Sequence, residues 1–485
     1  MNKKWYTDVL MLNRDPNWYR WADYSDKEAC RRYFEEFFSM YGDCVTDICF
    51  CVFEQTALVP SKAFMWRGEK YLQKSENGVD VDYSETHVAH LYKCIAELGL
   101  DPVQIFIDTV KSRGIRPWIT LRMNDVHYGK EETSPLRSDM FYEEREAGHI
   151  VKGNYRFHPT VYDFTYPRYR MALLSYMEEL LDKYDVFGLE LDFMREFVCF
   201  DYKNDPDCHN IMTEYIRQVR EAVKNAEKRV GHEIKLSIRT CRSPKDSKTM
   251  GFDIKTLADE GLIDAVVPTP HWNPTDSGIP IRAWKALLGD KIPVFAGIEA
   301  NNFGFSVNTP ANSRAYAAAF YAMGADGLYF NNHEFDSERN REVWKTSRQS
   351  CLEGTREFVV THQDCFAYPE DRYKPLPLTV DGEAVLPLEI GKVSAADKVS
   401  VIIDFEGDAP PTLDCGEVHD AMSEMIAPLT SVRGDKTIEF TPHTPLSYDI
   451  SGISTDSQVV LTFKGHGAVH YVNIVITSGD TIMEG

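Results

Sequence analysis

Short apolar runs that end in charged or amide side chains recur along this chain. The clearest is Phe187-Gly188-Leu189-Glu190-Leu191-Asp192-Phe193-Met194-Arg195-Glu196. In an extended strand its alternation puts Glu190 and Asp192 on one face and Leu189, Leu191 and Phe193 on the other. Comparable runs lie at residues 9–12, ending at Asn13-Arg14-Asp15, at 45–53, ending at Glu54-Gln55, and at 117–121, leading to Arg122, Asn124, Asp125 and His127. Further along, 234–238 leads to Arg239 and Arg242, 265–268 to His271-Trp272, 294–298 to Glu299, Asn301 and Asn302, and 328–330 to Asn331-Asn332-His333-Glu334. These are eight candidate strands.

Helical spacing fills the intervals. Tyr169, Ala172, Leu173, Tyr176, Leu180 and Tyr184 follow the i, i+3, i+4, i+7 rule, as do Ile211, Tyr215, Val219 and Val223 approximately. Shorter helices are expected at 29–39, 103–113, 253–260, 281–288 and 311–323. Gly114 and Gly324 stand where a helix should end before the next strand, because glycine accepts the left-handed conformation cheaply. Strand and helix alternate eight times, which predicts an α/β fold, a (β/α)8 TIM barrel with its chemistry at one rim. The long stretch 124–166 exceeds an ordinary connection and is expected to contain a substrate loop or lid.

The pattern changes towards the C-terminus. Short strand-like runs at 385–390, 399–405, 437–440, 459–463 and 469–476 are separated by glycine, proline and aspartate clusters, which predicts an antiparallel β-sandwich. The expected division is a catalytic barrel at 1–350, a proline-rich and aromatic connection at 351–377, and an accessory sandwich at 378–485. A packing role for the sandwich is preferred over carbohydrate binding.

Composition narrows the function. The chain has 485 residues and a formal charge of −22, which opposes binding to nucleic acid. Its opening residues lack the apolar core of a signal peptide, and no run approaches membrane-spanning length. The 11 cysteines are scattered without paired short spacings, as expected of a reduced cytoplasmic protein. Metalloprotease, phosphate-loop and dinucleotide motifs are missing. Asp15, His127, Asp192, His271, Glu299 and His333 are metal-ligand types, but their segments have no metal-specific spacing, and no metal or cofactor is expected.

Glycosidic-bond hydrolysis fits the rim better. It needs an acid for the leaving oxygen and a carboxylate or activated water for the sugar carbon. Asp192 and Glu299 form the simplest pair, with Glu54 and Glu334 as further candidates. Arg14, Arg122, Arg195, Arg239 and Arg242 near strand ends suit a substrate carboxylate, or else neutralise neighbouring acids.

Asp15, Arg122 with His127, Arg195, and Asn331 or Asn332 resemble the active-site arrangement of the inverting barrel-fold exo-sialidases. That resemblance implies a catalytic pair of Asp15 and His127, with Arg122 and Arg195 on the sugar carboxylate and Asn331 or Asn332 on substrate. Asn124, Arg14, Arg239, Arg242, His271 and Glu334 complete the expected substrate-binding set. The leading expectation is an exo-sialidase acting on sialoglycans. The alternatives are a hydrolase of uronic acid or other acidic glycosides using a carboxylate pair, and a non-catalytic glycan receptor using Trp18, Trp21, Trp118 and Trp272. No membrane partner is expected, and a homo-oligomer is left open.

Overall fold

The structure, a computed structural model, describes residues 4–15, 22–68, 89–125, 138–152, 160–205, 207–271, 278–299, 304–305, 309–331, 333, 338–361, 375–414, 430–433, 436–439 and 443–478. Its parallel strands are β1 (Val9–Arg14), β2 (Asp47–Glu54), β3 (Arg116–Arg122), β4 (Gly188–Asp192), β5 (Lys235–Cys241), β6 (Ala265–Thr269), β7 (Phe295–Glu299) and β8 (Gly327–Asn331). Their order in the sheet is β6-β5-β4-β3-β2-β1-β8-β7, the cyclic sequence of a nearly closed (β/α)8 barrel. At the remaining seam the Val266 amide donates to the Pro293 carbonyl at 3.1 Å, just ahead of β7. The predicted fold is thus the observed one.

Local chemistry explains the elements. The strands are buried on both faces, as β1 and β4 are throughout, which suits near-continuous apolar runs in a parallel sheet. The predicted helices appear as Lys27–Ser39, Pro102–Ser112, Pro167–Lys183, Cys208–Val230, Ile254–Asp259, Ile281–Leu288 and Pro310–Ala322. Asp101 and Thr309 cap two of them by accepting from the Gln104 and Asn312 amides, each followed by proline at the helix start. Gly114 and Gly324 take φ values of 74° and 100°, the left-handed geometry their positions require. Among the described residues, no helix is long and apolar enough to cross a membrane.

The C-terminal region is antiparallel: β9 (Arg356–Thr361), β10 (Leu378–Glu389), β11 (Lys398–Glu406), β12 (Thr412–Asp414), β13 (Pro445–Asp449) and β14 (Gln458–Thr477). β14 is its backbone. Its first half pairs with β10 and its second half with β9 and β11, as a strand shared between packed layers does. The runs expected as separate strands at 459–463 and 469–476 are therefore one strand. Gly467 serves close packing instead of a turn, since a Cβ there would lie 2.3 Å from the Glu406 carbonyl oxygen. β9 falls inside the stretch expected to be a connection.

Two compact units emerge, and both contain barrel strands. One comprises Met11–Pro268 with Leu287–Pro293; the other comprises Met1–Leu10, Thr269–Ala286 and Val294–Gly485. The composition boundaries at 350 and 377 divide the chain elsewhere.

Candidate active site

Within the first unit, strand register builds a charged layer. Arg122 on β3, Asp192 on β4 and Arg239 on β5 are consecutive in-register partners, so base, acid and base stand side by side. Arg239 donates to both Asp192 oxygens at 3.2 and 3.0 Å, and the Met194 amide donates to Oδ1 at 2.8 Å. Asp192 is thereby held by donors alone, an arrangement that suits a carboxylate. One layer away, the Asn13 amide donates to Glu190 Oε1 at 3.2 Å. Because β1 and β4 are not sheet neighbours, this bond crosses the barrel interior.

Arg122 turns the other way. Its guanidinium bonds Asp15 and Glu54, and approaches Asp125 at 3.4 Å. Burial opposes its charge, but Asp15, Glu54 and Asp125 outweigh that cost and hold its pKa well above the ordinary value. Glu54 also accepts from Arg67 at 3.1 Å. A register shift between Cys51 and Phe53 and a positive φ of 62° at Gln55 aim this strand end at the cluster, where Gln55 reaches Asp125 at 3.4 Å.

Glu196 has a different environment. It lies four residues beyond Asp192 and is 5% exposed. Burial drives its carboxyl well above the ordinary range, and the Asp125 and Asp192 carboxylates push the same way, against Arg195 and Arg122. Arg195 Nε approaches Glu196 Oε1 at 3.7 Å, while Oε2 is buried without a hydrogen-bond partner among the described residues. A carboxyl pushed towards its protonated form and a carboxylate held by donors make the division of labour that acid catalysis uses. In the sequence Glu196 is only the acid that closes the Phe187–Glu196 run, a position that gives its type but not its burial.

The other expected residues scatter by role. Asn124 donates to the Tyr162 and Val198 carbonyls at 3.0 and 2.9 Å and accepts from the Tyr162 amide at 3.0 Å, which makes it a clip for its loop. The Arg14 guanidinium lies over Phe37 and Tyr41, 5.4 and 5.9 Å from their ring centres. Arg242 is buried. Trp118 is fully buried and donates to Asp47 at 2.8 Å, so it is a core residue and not a sugar platform. In the second unit, the Asn331 amide reaches both Glu299 oxygens at 3.1 and 3.0 Å across paired β7 and β8, and His271 is buried after β6. Asp192 and Glu299 thus belong to different units. His127, Asn332, Glu334, Trp18, Trp21 and Trp272 lie outside the described residues.

No family model matches the sequence, and no curated protein matches it. Among solved structures, the glycoside hydrolase domain of PgaB (BpsB) from Bordetella bronchiseptica is similar at 11% identity and a TM-score of 0.45, over 70% of this chain and 98% of that one. Chitinase ChiW from Paenibacillus sp. str. FPU-7 gives 10% and 0.41, over 95% of this chain and 56% of that one. Alpha-L-fucosidase isoenzyme 1 from Paenibacillus thiaminolyticus gives 13% and 0.34, over 95% and 96%. Likeness at this level bears on neither substrate nor mechanism. The sialidase resemblance is corrected: sialidases fold as propellers, whereas this chain forms a barrel. Its matches were residue types that many charged barrel rims share.

Proposed function

We propose that the protein is a glycoside hydrolase that works through a carboxylate pair, Glu196 and Asp192. The observation that carries this reading is the buried Glu196 carboxyl, whose pKa lies well above the ordinary range, close in sequence and in field to an Asp192 fixed by Arg239 and a backbone amide. In the reaction, the glycosidic C–O bond breaks with its electron pair moving to the leaving oxygen, which takes the Glu196 proton. Asp192 serves the anomeric carbon on the other side, either as nucleophile or as the base that removes a proton from attacking water. Arg239 and the Met194 amide orient Asp192; Arg122 gathers Asp15, Glu54 and Asp125 beside the pair.

The acidic-glycoside form of this reading rests on Arg195. Its side chain is 18% exposed, against 8% for Arg122 and 3% for Arg239, and its Nε stands 3.7 Å from Glu196 Oε1. As the most exposed of the three and the one next to the proposed acid, Arg195 is the arginine we assign to a substrate carboxylate.

Release of free sugar from a panel of neutral glycosides and uronides tests the function. Turnover is expected in the wild type and is expected to fall by about 100-fold or more in Glu196→Gln, the scale of a lost general acid. Saturable binding across the panel with no hydrolysis would make the protein a glycan receptor instead.

A further inference from the structure

The antiparallel region carries a second group of ligand-type side chains. Glu406 ends β11, His443 lies two residues before the start of β13, and His470 lies within β14. One ligand atom from each lies within 4.8 Å of the others, with Glu406 and His443 exposed and His470 partly so. Glu406 Oε2 is 2.9 Å from His470 Nε2 and 3.9 Å from His443 Nε2. A tetrahedral ion with bonds of about 2.0–2.1 Å requires donor atoms about 3.3 Å apart, a value these two distances bracket.

Two features make this more than a chance meeting of surface side chains. The first is a supporting carboxylate. Asp404 is completely buried and accepts from the His443 and Thr444 backbone amides at 2.7 and 3.0 Å. Its Oδ2 lies 2.9 Å from His443 Nδ1. That bond puts the imidazole proton on Nδ1 and leaves the Nε2 lone pair facing Glu406 and His470, the tautomer a metal ligand needs. The second is an irregular ladder. Asp404 pairs with Tyr471 and Phe405 with Val469, so His470 is the extra residue of a bulge. A bulge re-aims its side chain, and here it stacks the His470 ring on that of His443, with centres 4.6 Å apart.

We propose that Glu406, His443 and His470 bind a zinc-type divalent transition-metal ion, with Asp404 as the positioning residue for His443. Two imidazoles and one carboxylate select such an ion over calcium or magnesium, which prefer all-oxygen shells. Glu406 and Asp404 supply two negative charges to match it. The ion replaces the His470–Glu406 hydrogen bond, His470 binding through Nε2 as the neutral ring with its single proton on Nδ1. The ion then joins β11, β14 and the entry to β13 at one point while leaving a fourth position open to water. This site is independent of the proposed hydrolase chemistry.

The test uses the full chain, stripped with a chelator, exchanged into buffer and titrated calorimetrically with zinc chloride. The expected result is one equivalent bound with a dissociation constant on the order of micromolar or tighter. Tetrahedral cobalt absorption should appear with Co²⁺, and excess Ca²⁺ should not compete. The double variant His443→Ala, His470→Ala should lose binding by about 100-fold or more. Glu406→Gln, a near-isosteric change of an exposed side chain, should weaken it by about tenfold, within the range seen when metal-site groups are altered. Absence of a saturable one-equivalent isotherm in the wild type would overturn the proposal. Zinc binding by Glu406→Gln and by the folded double variant that matches the wild type would do so equally.

Discussion

Glu196 is a carboxyl whose protonation is bound up with folding. Its folded-state pKa lies well above the ordinary value of 4.5, first because it is buried and then because Asp125 is near. Between the unfolded and folded values, the folded chain holds a proton that the unfolded chain has released. Stability from this group is therefore fully present at low pH and declines as pH rises through that window, by about 1.4 kcal/mol per pH unit. Glu196→Gln removes the titration. Its unfolding free energy relative to wild type should thus climb from about pH 4.5 upwards, checked by denaturant unfolding at a series of pH values. A difference that stays flat with pH would mean Glu196 titrates normally. The arginines separate on the same scale. Arg195→Ala should impair hydrolysis of a uronide by about 30-fold relative to its neutral methyl ester, the size of a lost charge-assisted bond of about 2 kcal/mol. Arg122→Ala should impair both alike, because Arg122 spends its donors on Asp15 and Glu54. The catalytic efficiency ratio of acid to ester in each variant decides the matter.

At the level of elements, charge order in the barrel follows from register. Asp192 finds Arg239 because β4 and β5 align them directly, and a slip of one residue would put the two side chains on opposite faces of the sheet. The start of β4 is fixed by packing. A Cβ at Gly188 would fall 2.1 Å from the Trp118 ring, and Trp118 is itself anchored to Asp47, which also takes Arg116 at 2.5 Å. Gly188→Ala should therefore cost about 1–3 kcal/mol in chemical denaturation, as overpacking does; an unchanged midpoint would show that the Trp118 ring can move aside freely. These elements also show what a sequence carries. The long helices and buried strands were legible because their periodicities are regular. Asp139–Glu146, Pro244–Thr249 and Glu338–Thr346 were not anticipated, being largely polar segments with too few apolar positions to display a repeat. Gly465 and Gly467 read as a break because the close approach that requires glycine at 467 comes from distant residues, Phe405 and Glu406.

Across the whole molecule, the eightfold alternation was enough for the barrel and its C-terminal antiparallel region, since topology needs only the order of elements. The site was less legible. Asp192 stood out because it shares a strand with its own alternating pattern. The partners of Arg122 come from the ends of β1 and β2 and from beyond β3, and no local spacing announces that meeting. Glu196 was visible as a residue type, but its burial is a product of the assembled unit. The same holds for Glu406, His443 and His470, which are remote in sequence and meet only through strand pairing.

The central claim is that Glu196 donates the proton to the leaving oxygen, and the most direct measurement is how its replacement depends on the leaving group. Glu196→Gln and wild type should be compared on two glycosides of the same sugar, one with an alkyl leaving group and one with a dinitrophenolate. The alcohol must be protonated as it departs, whereas the phenolate leaves readily as an anion. The account predicts a loss of about 100-fold or more on the alkyl glycoside and less than about tenfold on the activated one. Equal losses on both substrates, in a variant shown to be folded, would contradict it and remove Glu196 from proton donation.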